Sequence, residues 1–94
     1  MSNSAYTGKA INLDTFSSAL TISNVKPFSI EWVQPENVGD ACVVKLDNND
    51  GVKIINWVCS VQFKNEIKYF DSQMATLYIP VAGVESGELI IYLR

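Results

Sequence analysis

Apolar side chains recur at every second position along most of this chain. In residues 28–33, FSIEWV, Phe28, Ile30 and Trp32 fall on one face and Ser29 and Glu31 on the other, the alternation of a half-buried strand. In ACVVKLD, Cys42, Val44 and Leu46 share a face opposite Lys45 and Asp47. The longest run is 55–64, where Ile55, Trp57, Cys59, Val61 and Phe63 alternate with Asn56, Val58, Ser60, Gln62 and Lys64. All but Val58 on the second side are polar, so the run predicts a strand with one face in a core and the other in water. Further strands are predicted over 9–13, 19–25, 67–70, 74–79 and 88–93. Turn-type clusters separate them at 14–18, 26–27, 34–40, 47–51, 65–66, 71–73 and 80–87.

No window longer than about ten residues carries a helical period. Seven or eight short strands at roughly ten-residue spacing predict an all-β, single-domain antiparallel β-sandwich or jelly-roll-like barrel. One element is too long for that plan. A single strand over 52–64 would run about 43 Å at ~3.3 Å per residue, against the usual 17 to 20 Å. The apolar face changes parity at Ile54-Ile55, which predicts a bulge there and a bend from one sheet toward the other.

Length and composition fix the scale. Ninety-four residues, 48% of them apolar, make one domain over 9–94, preceded by a polar, flexible arm at 1–8. A chain of this size hides only about 60 to 65% of its unfolded surface, so burying more against a partner stabilises it. The net charge is −3, and the seven Lys and Arg residues stand singly, leaving no basic stripe for a phosphate backbone. Nucleic acid is therefore not expected as a partner. No stretch reaches the ~20 apolar residues that span a bilayer, and MSNSAYTGKA lacks the charged and apolar regions of a signal peptide. The expectation is a chain made in a cytoplasm, with no membrane partner.

The chain contains no histidine. Ser-His-Asp and Cys-His nucleophiles, HExxH metal hydrolysis and imidazole general acid/base catalysis are thereby excluded. Paired carboxylates remain possible in principle. The carboxylates are scattered from Asp14 through Glu31, Glu36, Asp40 and Asp71 to Glu88, and spacing gives no facing pair, so they read as solvated surface. The expectation is a protein without catalysis and without a cofactor.

Two local features could carry chemistry. DNNDG at 47–51 has the flavour of a calcium loop, which needs oxygen ligands one, three and five positions before its glycine. Those positions hold Asp50, Asn48 and Leu46, and Trp57 stands where the closing glutamate belongs. The cluster reads instead as a hairpin turn with Asp50-Gly51 as a type I′ pair. Cys42 and Cys59 sit among apolar neighbours with no basic residue placed to lower a thiol pKa, so both read as buried, inert thiols. A disulfide between them requires neighbouring strands, and a reducing cytoplasm opposes it.

The aromatics divide. Trp32 and Trp57 fall on inward faces and read as core. In IKYF and ELIIYLR both faces are apolar or aromatic, since Leu89, Ile91 and Leu93 alternate with Ile90 and Tyr92. Such a strand is either central between two covered faces or covered by another chain. Tyr69, Phe70, Tyr78, Ile90 and Tyr92 are the candidate interface residues, and exposed rings among them would equally serve as stacking platforms for a sugar.

The polar start MSNSAYTGKAINL, the strand-rich middle without a catalytic signature and the closing run YIPVAGVESGELIIYLR together resemble the small all-β virion proteins of tailed bacteriophages, of the capsid decoration or cement type. That resemblance implies a non-enzymatic binding protein assembled into a virion, whose partners are capsid subunits or copies of itself in a homo-oligomer. It assigns no individual residue a role. Two alternatives stand beside it: a small acidic inhibitor or adaptor of a host protein, and a carbohydrate-binding module.

Overall fold

The computed structural model describes residues 10–71 and 73–93. The arm at 1–8 lies outside the described residues. Within them are eight strands: β1 (Ala10–Leu13), β2 (Leu20–Val25), β3 (Pro27–Val33), β4 (Ala41–Leu46), β5 (Lys53–Val58), β6 (Glu66–Tyr69), β7 (Ala75–Ile79) and β8 (Glu88–Leu93). They form two four-stranded antiparallel sheets, ordered β1-β8-β3-β6 and β2-β7-β4-β5. The pairs β1/β8, β2/β7, β3/β6 and β4/β5 are nested about the 47–52 turn, like one long hairpin rolled into a sandwich. This is jelly-roll connectivity, so the sandwich and jelly-roll alternatives resolve into a two-sheet jelly roll.

The core lies between the sheets. Ile11, Leu13, Ile30, Trp32, Leu89, Ile91 and Leu93 meet Cys42, Val44, Ile55, Leu77 and Ile79, with Cys59 and Val84 closing one end. Trp32 is fully buried, and its indole N–H donates to the Ser86 carbonyl at 2.8 Å, so the ring contributes apolar area without an unpaired donor. At the same end, Asp40 accepts from the Ser86 hydroxyl and the Asn37 amide, and Glu85 accepts from the Ala41 N–H. These carboxylates tie the 80–87 connection to the start of β4.

The bulge expected at Ile54-Ile55 is present. Val44 pairs with Ile55 and Lys45 with Lys53, leaving Ile54 as the extra residue of β5. The strand does not pass to the other sheet there; β5 stays an edge strand of its own sheet. The Ile54 carbonyl instead accepts from Lys68 Nζ of β6 at 3.0 Å, so one ammonium bridges the two sheet edges. A lysine over an open edge also discourages edge-to-edge pairing.

The predicted strand over 55–64 is cut short. It ends at Val58, and although Cys59 is still buried, Val61 and Phe63 are each 56% exposed. The reason lies in the neighbour: the chain turns at Gly39 before β4 starts at Ala41, so after Cys59, whose N–H and carbonyl still bond Asp40 and Gly39, the run has no partner on that side. Phe63 then takes a positive φ and its N–H donates to the Pro35 carbonyl.

The 47–51 turn also differs from its predicted type. Asp47 holds the positive φ, and Asp50 and Gly51 do not form a type I′ pair. Asn48 Oδ1 accepts from the Asp50 N–H and the Asn48 carbonyl from the Gly51 N–H, both at 2.9 Å, so Asn48 organises the turn. Glycine is required at 51 because a Cβ there would lie 1.6 Å from the Leu46 carbonyl oxygen.

Candidate functional site

β8 is central in its sheet, flanked by β1 and β3, and its alternation settles which side is internal. Leu89, Ile91 and Leu93 are buried; Glu88, Ile90 and Tyr92 point away from the core. The cross-strand register then builds the outer face row by row. Asn12, Ile90, Glu31 and Ile67 form one row, and Ala10, Tyr92, Ser29 and Tyr69 form the next. This face is rich in apolar and aromatic groups, and no other described strand is layered over β8 there.

Of the five predicted interface residues, Tyr69, Ile90 and Tyr92 lie together on this face, with Tyr69 64% exposed. The other two lie elsewhere. Tyr78 is on the outer face of the opposite sheet, in a row with Thr21 and Lys45. Phe70 follows β6, packs against the core and carries Lys68 Nζ over its ring at 5.7 Å.

Phe28 joins the site unexpectedly. Strict alternation places it inward with Ile30 and Trp32, but the β3/β8 register slips between Pro27 and Ser29. Phe28 is the extra residue of that bulge and turns out, while Ser29 keeps its place on the outer face and is 3% exposed because the flanking rings cover it. Phe28 then meets Tyr69 edge to face, with ring centroids 5.7 Å apart at 75°. Lys26-Pro27, a single linking residue and a proline opening the strand, is the only sequence signal for that irregularity.

Between these rings the face is concave. Tyr69 and Tyr92 flank Ser29 from the two neighbouring strands, and the small serine leaves a shallow, open groove of about 370 Å³, lined by Phe28, Ser29, Glu31, Ile67, Tyr69, Tyr92 and Leu93. Glu31 stands at its side. Tyr92 donates its hydroxyl to Glu31 Oε1 at 3.3 Å, and Asn65 Nδ2 approaches Oε2 at 3.4 Å. Burial and the adjacent Glu31 carboxylate hold the Tyr92 phenol above the ordinary tyrosine range.

The two cysteines lie outside this face. Cys42 pairs across the ladder with Trp57, and Cys59 lies beyond the ladder's end, where its N–H donates to Asp40 and its thiol to Val61 O at 3.3 Å. Both are buried and free, as the sequence predicts. Burial pushes the Cys42 thiol up to about 12, which keeps it protonated and unreactive at neutral pH.

Comparison of the chain with family models, curated proteins and solved structures returns no match.

Proposed function

We propose that this protein is a non-catalytic virion component of the capsid decoration or cement type, which docks on a multimeric protein shell through the outer face of β1-β8-β3-β6. The observation that supports the reading most is that face itself: Phe28, Ile67, Tyr69, Ile90 and Tyr92 gather on one side of a sheet whose other side is already a complete core. An apolar, aromatic sheet face of this kind marks a protein contact more often than a solvated wall. Jelly-roll connectivity agrees with a capsid role, being an architecture of viral capsid domains as well as of lectins and cupins. Docking would strengthen the shell by mass action, since the protein binds the assembled state and so lowers its free energy. The partner is a capsid subunit or another copy of the chain.

The sugar-binding alternative loses its tryptophans, because Trp32 is fully buried and Trp57 packs on the core. The docking reading is tested with the double variant Tyr69→Asp/Ile90→Asp, which places two charges on the face without touching the core. In virion preparations from the virus that encodes the chain, the wild type is expected to co-sediment with the capsid at fixed stoichiometry. The double variant is expected to stay in the supernatant with a thermal midpoint within about 3 °C of wild type, as for surface substitutions. A wild-type chain that never sediments with the capsid overturns the proposal, and light scattering on the free protein separates shell docking from self-association.

A further inference from the structure

We infer that the groove on this face is an arginine receptor: it takes the guanidinium of an arginine side chain presented by the docked protein. The inference rests on the docking reading and adds the chemistry of the partner. Three aromatic rings and one carboxylate converge there. Phe28 and Tyr69 stand nearly perpendicular and make a corner, and Tyr92 forms the opposite wall across Ser29. Two strand spacings put the Tyr69 and Tyr92 backbones about 9.6 Å apart, room for one flat group between their side chains. Aromatic faces attract cations through the ring quadrupole, and more strongly once water is displaced.

Glu31 supplies the charge. Its two hydrogen-bond donors, the Tyr92 hydroxyl and the Asn65 amide, are neutral. Among the described residues the ion pair is Lys64 with Glu66, and none involves Glu31. The outward positions of the same sheet hold a second carboxylate, Glu88, and no cation among the described residues. A carboxylate fixed in a patch of rings is costly to cover with an apolar surface alone, because docking would strip its water without replacing the lost interactions. A guanidinium answers this: its planar fork meets both carboxylate oxygens while its faces stack on the rings. Lysine offers only a compact, strongly hydrated point charge. A second copy docked by the same face brings its own Glu31 and Glu88 and no cation from the outward positions described, so charge disfavours that occupant.

The test is a titration of the full-length protein with N-acetyl-arginine methylamide, followed through the ring protons of Phe28, Tyr69 and Tyr92 by NMR. Saturable shifts in the millimolar range are expected, with the isosteric neutral citrulline analogue at least about tenfold weaker, as removal of a charge-assisted pair implies. Glu31→Gln is expected to lower arginine affinity about tenfold, and Tyr69→Ala likewise, both without loss of fold by circular dichroism. Equal binding of arginine and citrulline, or unchanged affinity in Glu31→Gln, overturns the inference. Arg94→Ala tests the competing occupant: if it tightens arginine binding markedly, the chain's own Arg94 fills the groove and the partner assignment falls. Flat titrations in both the wild type and Arg94→Ala, with capsid co-sedimentation retained, would remove the arginine and leave the docking face. Arginine binding in a protein whose co-sedimentation is insensitive to Tyr69→Asp/Ile90→Asp would remove the docking reading and, with it, the partner named here.

Discussion

Cys42 shows how much one buried side chain can govern without any reactivity. Its thiol is held protonated up to about 12 because the core offers the thiolate no solvation. The unfolded chain releases the same proton near the thiol's ordinary value of 9.0, so above that pH the unfolded state gains what the folded state cannot. The contribution is fully present below about 9 and is lost as pH rises through about 12. Urea midpoints are therefore expected to fall over that window, and Cys42→Ala, costing about 1–2 kcal/mol at neutral pH through its cavity, should flatten the decline. Tyr92 acts in the same direction above its ordinary range, so Tyr92→Phe is the companion variant. An alkaline limb unchanged in Cys42→Ala would assign it to other groups. The same scale explains what the sequence revealed of the site. Ile90 and Tyr92 were legible because alternation in β8 leaves two apolar faces and only one can be the core, and Tyr69 because the run IKYF is likewise apolar or aromatic on both sides. Phe28 was not, because one slipped residue after Pro27 reverses its side. Glu31 read as an ordinary solvated acid until the register set it among rings, and Tyr78 and Phe70 shared the aromatic signal but not the face.

At the scale of elements, position and type were legible from periodicity, and length was not. Alternation through Val61 and Phe63 continues past Val58, yet a strand extends only as far as a neighbour pairs with it, and the start of β4 is set by the turn at Gly39. The bulge at Ile54 is the converse case, where parity alone located an irregularity. It yields a deletion that should be tolerated. Removing Ile54 leaves Val44 opposite Ile55 and Lys45 opposite Lys53 in a regular ladder, with every remaining side chain on its present face. The losses are the half-buried Ile54 side chain and the acceptor for Lys68. The variant is expected to fold with native circular dichroism, destabilised by about 2–3 kcal/mol. Deleting Val43 from β4 instead shifts one flank by a residue and turns its buried positions outward, so that chain should be unfolded. If both deletions behave alike in urea melts, the bulge assignment is wrong.

At the scale of the whole sandwich, the described strands close on one another. Ala10 pairs with Tyr92, so the first and last described strands lie side by side, while β4 and β5 meet at the opposite extreme of the nesting. This symmetry makes a circular permutant unusually informative. Opening the chain between Asn49 and Asp50 and fusing Arg94 to Met1 gives the order β5-β6-β7-β8-β1-β2-β3-β4. The four nested pairs survive, but inside out: β8/β1 becomes the local hairpin and β4/β5 the most distant pair. The two closing contacts, β3/β8 and β4/β7, simply exchange their sequence separations. Mean separation between paired strands is thus conserved, and contact order is the main topological control on two-state folding rate. What changes is the innermost connection, from the six residues 47–52 to the ten comprising Arg94 and residues 1–9. That is less than one doubling, roughly 0.5 kcal/mol of loop entropy, or a factor of two to three in rate. Wild type and permutant are both expected to refold in milliseconds to seconds with rates within about fivefold of each other. Ile55→Val and Ile91→Val should exchange their effects on the folding limb as the local hairpin moves from β4/β5 to β8/β1. A permutant slower by two orders of magnitude would mean that the 47–52 turn, whose Asn48 bonds and close-fitting Gly51 are lost as a connection, is itself the nucleus. Stopped-flow refolding of the two chains decides between control by topology and control by the turn.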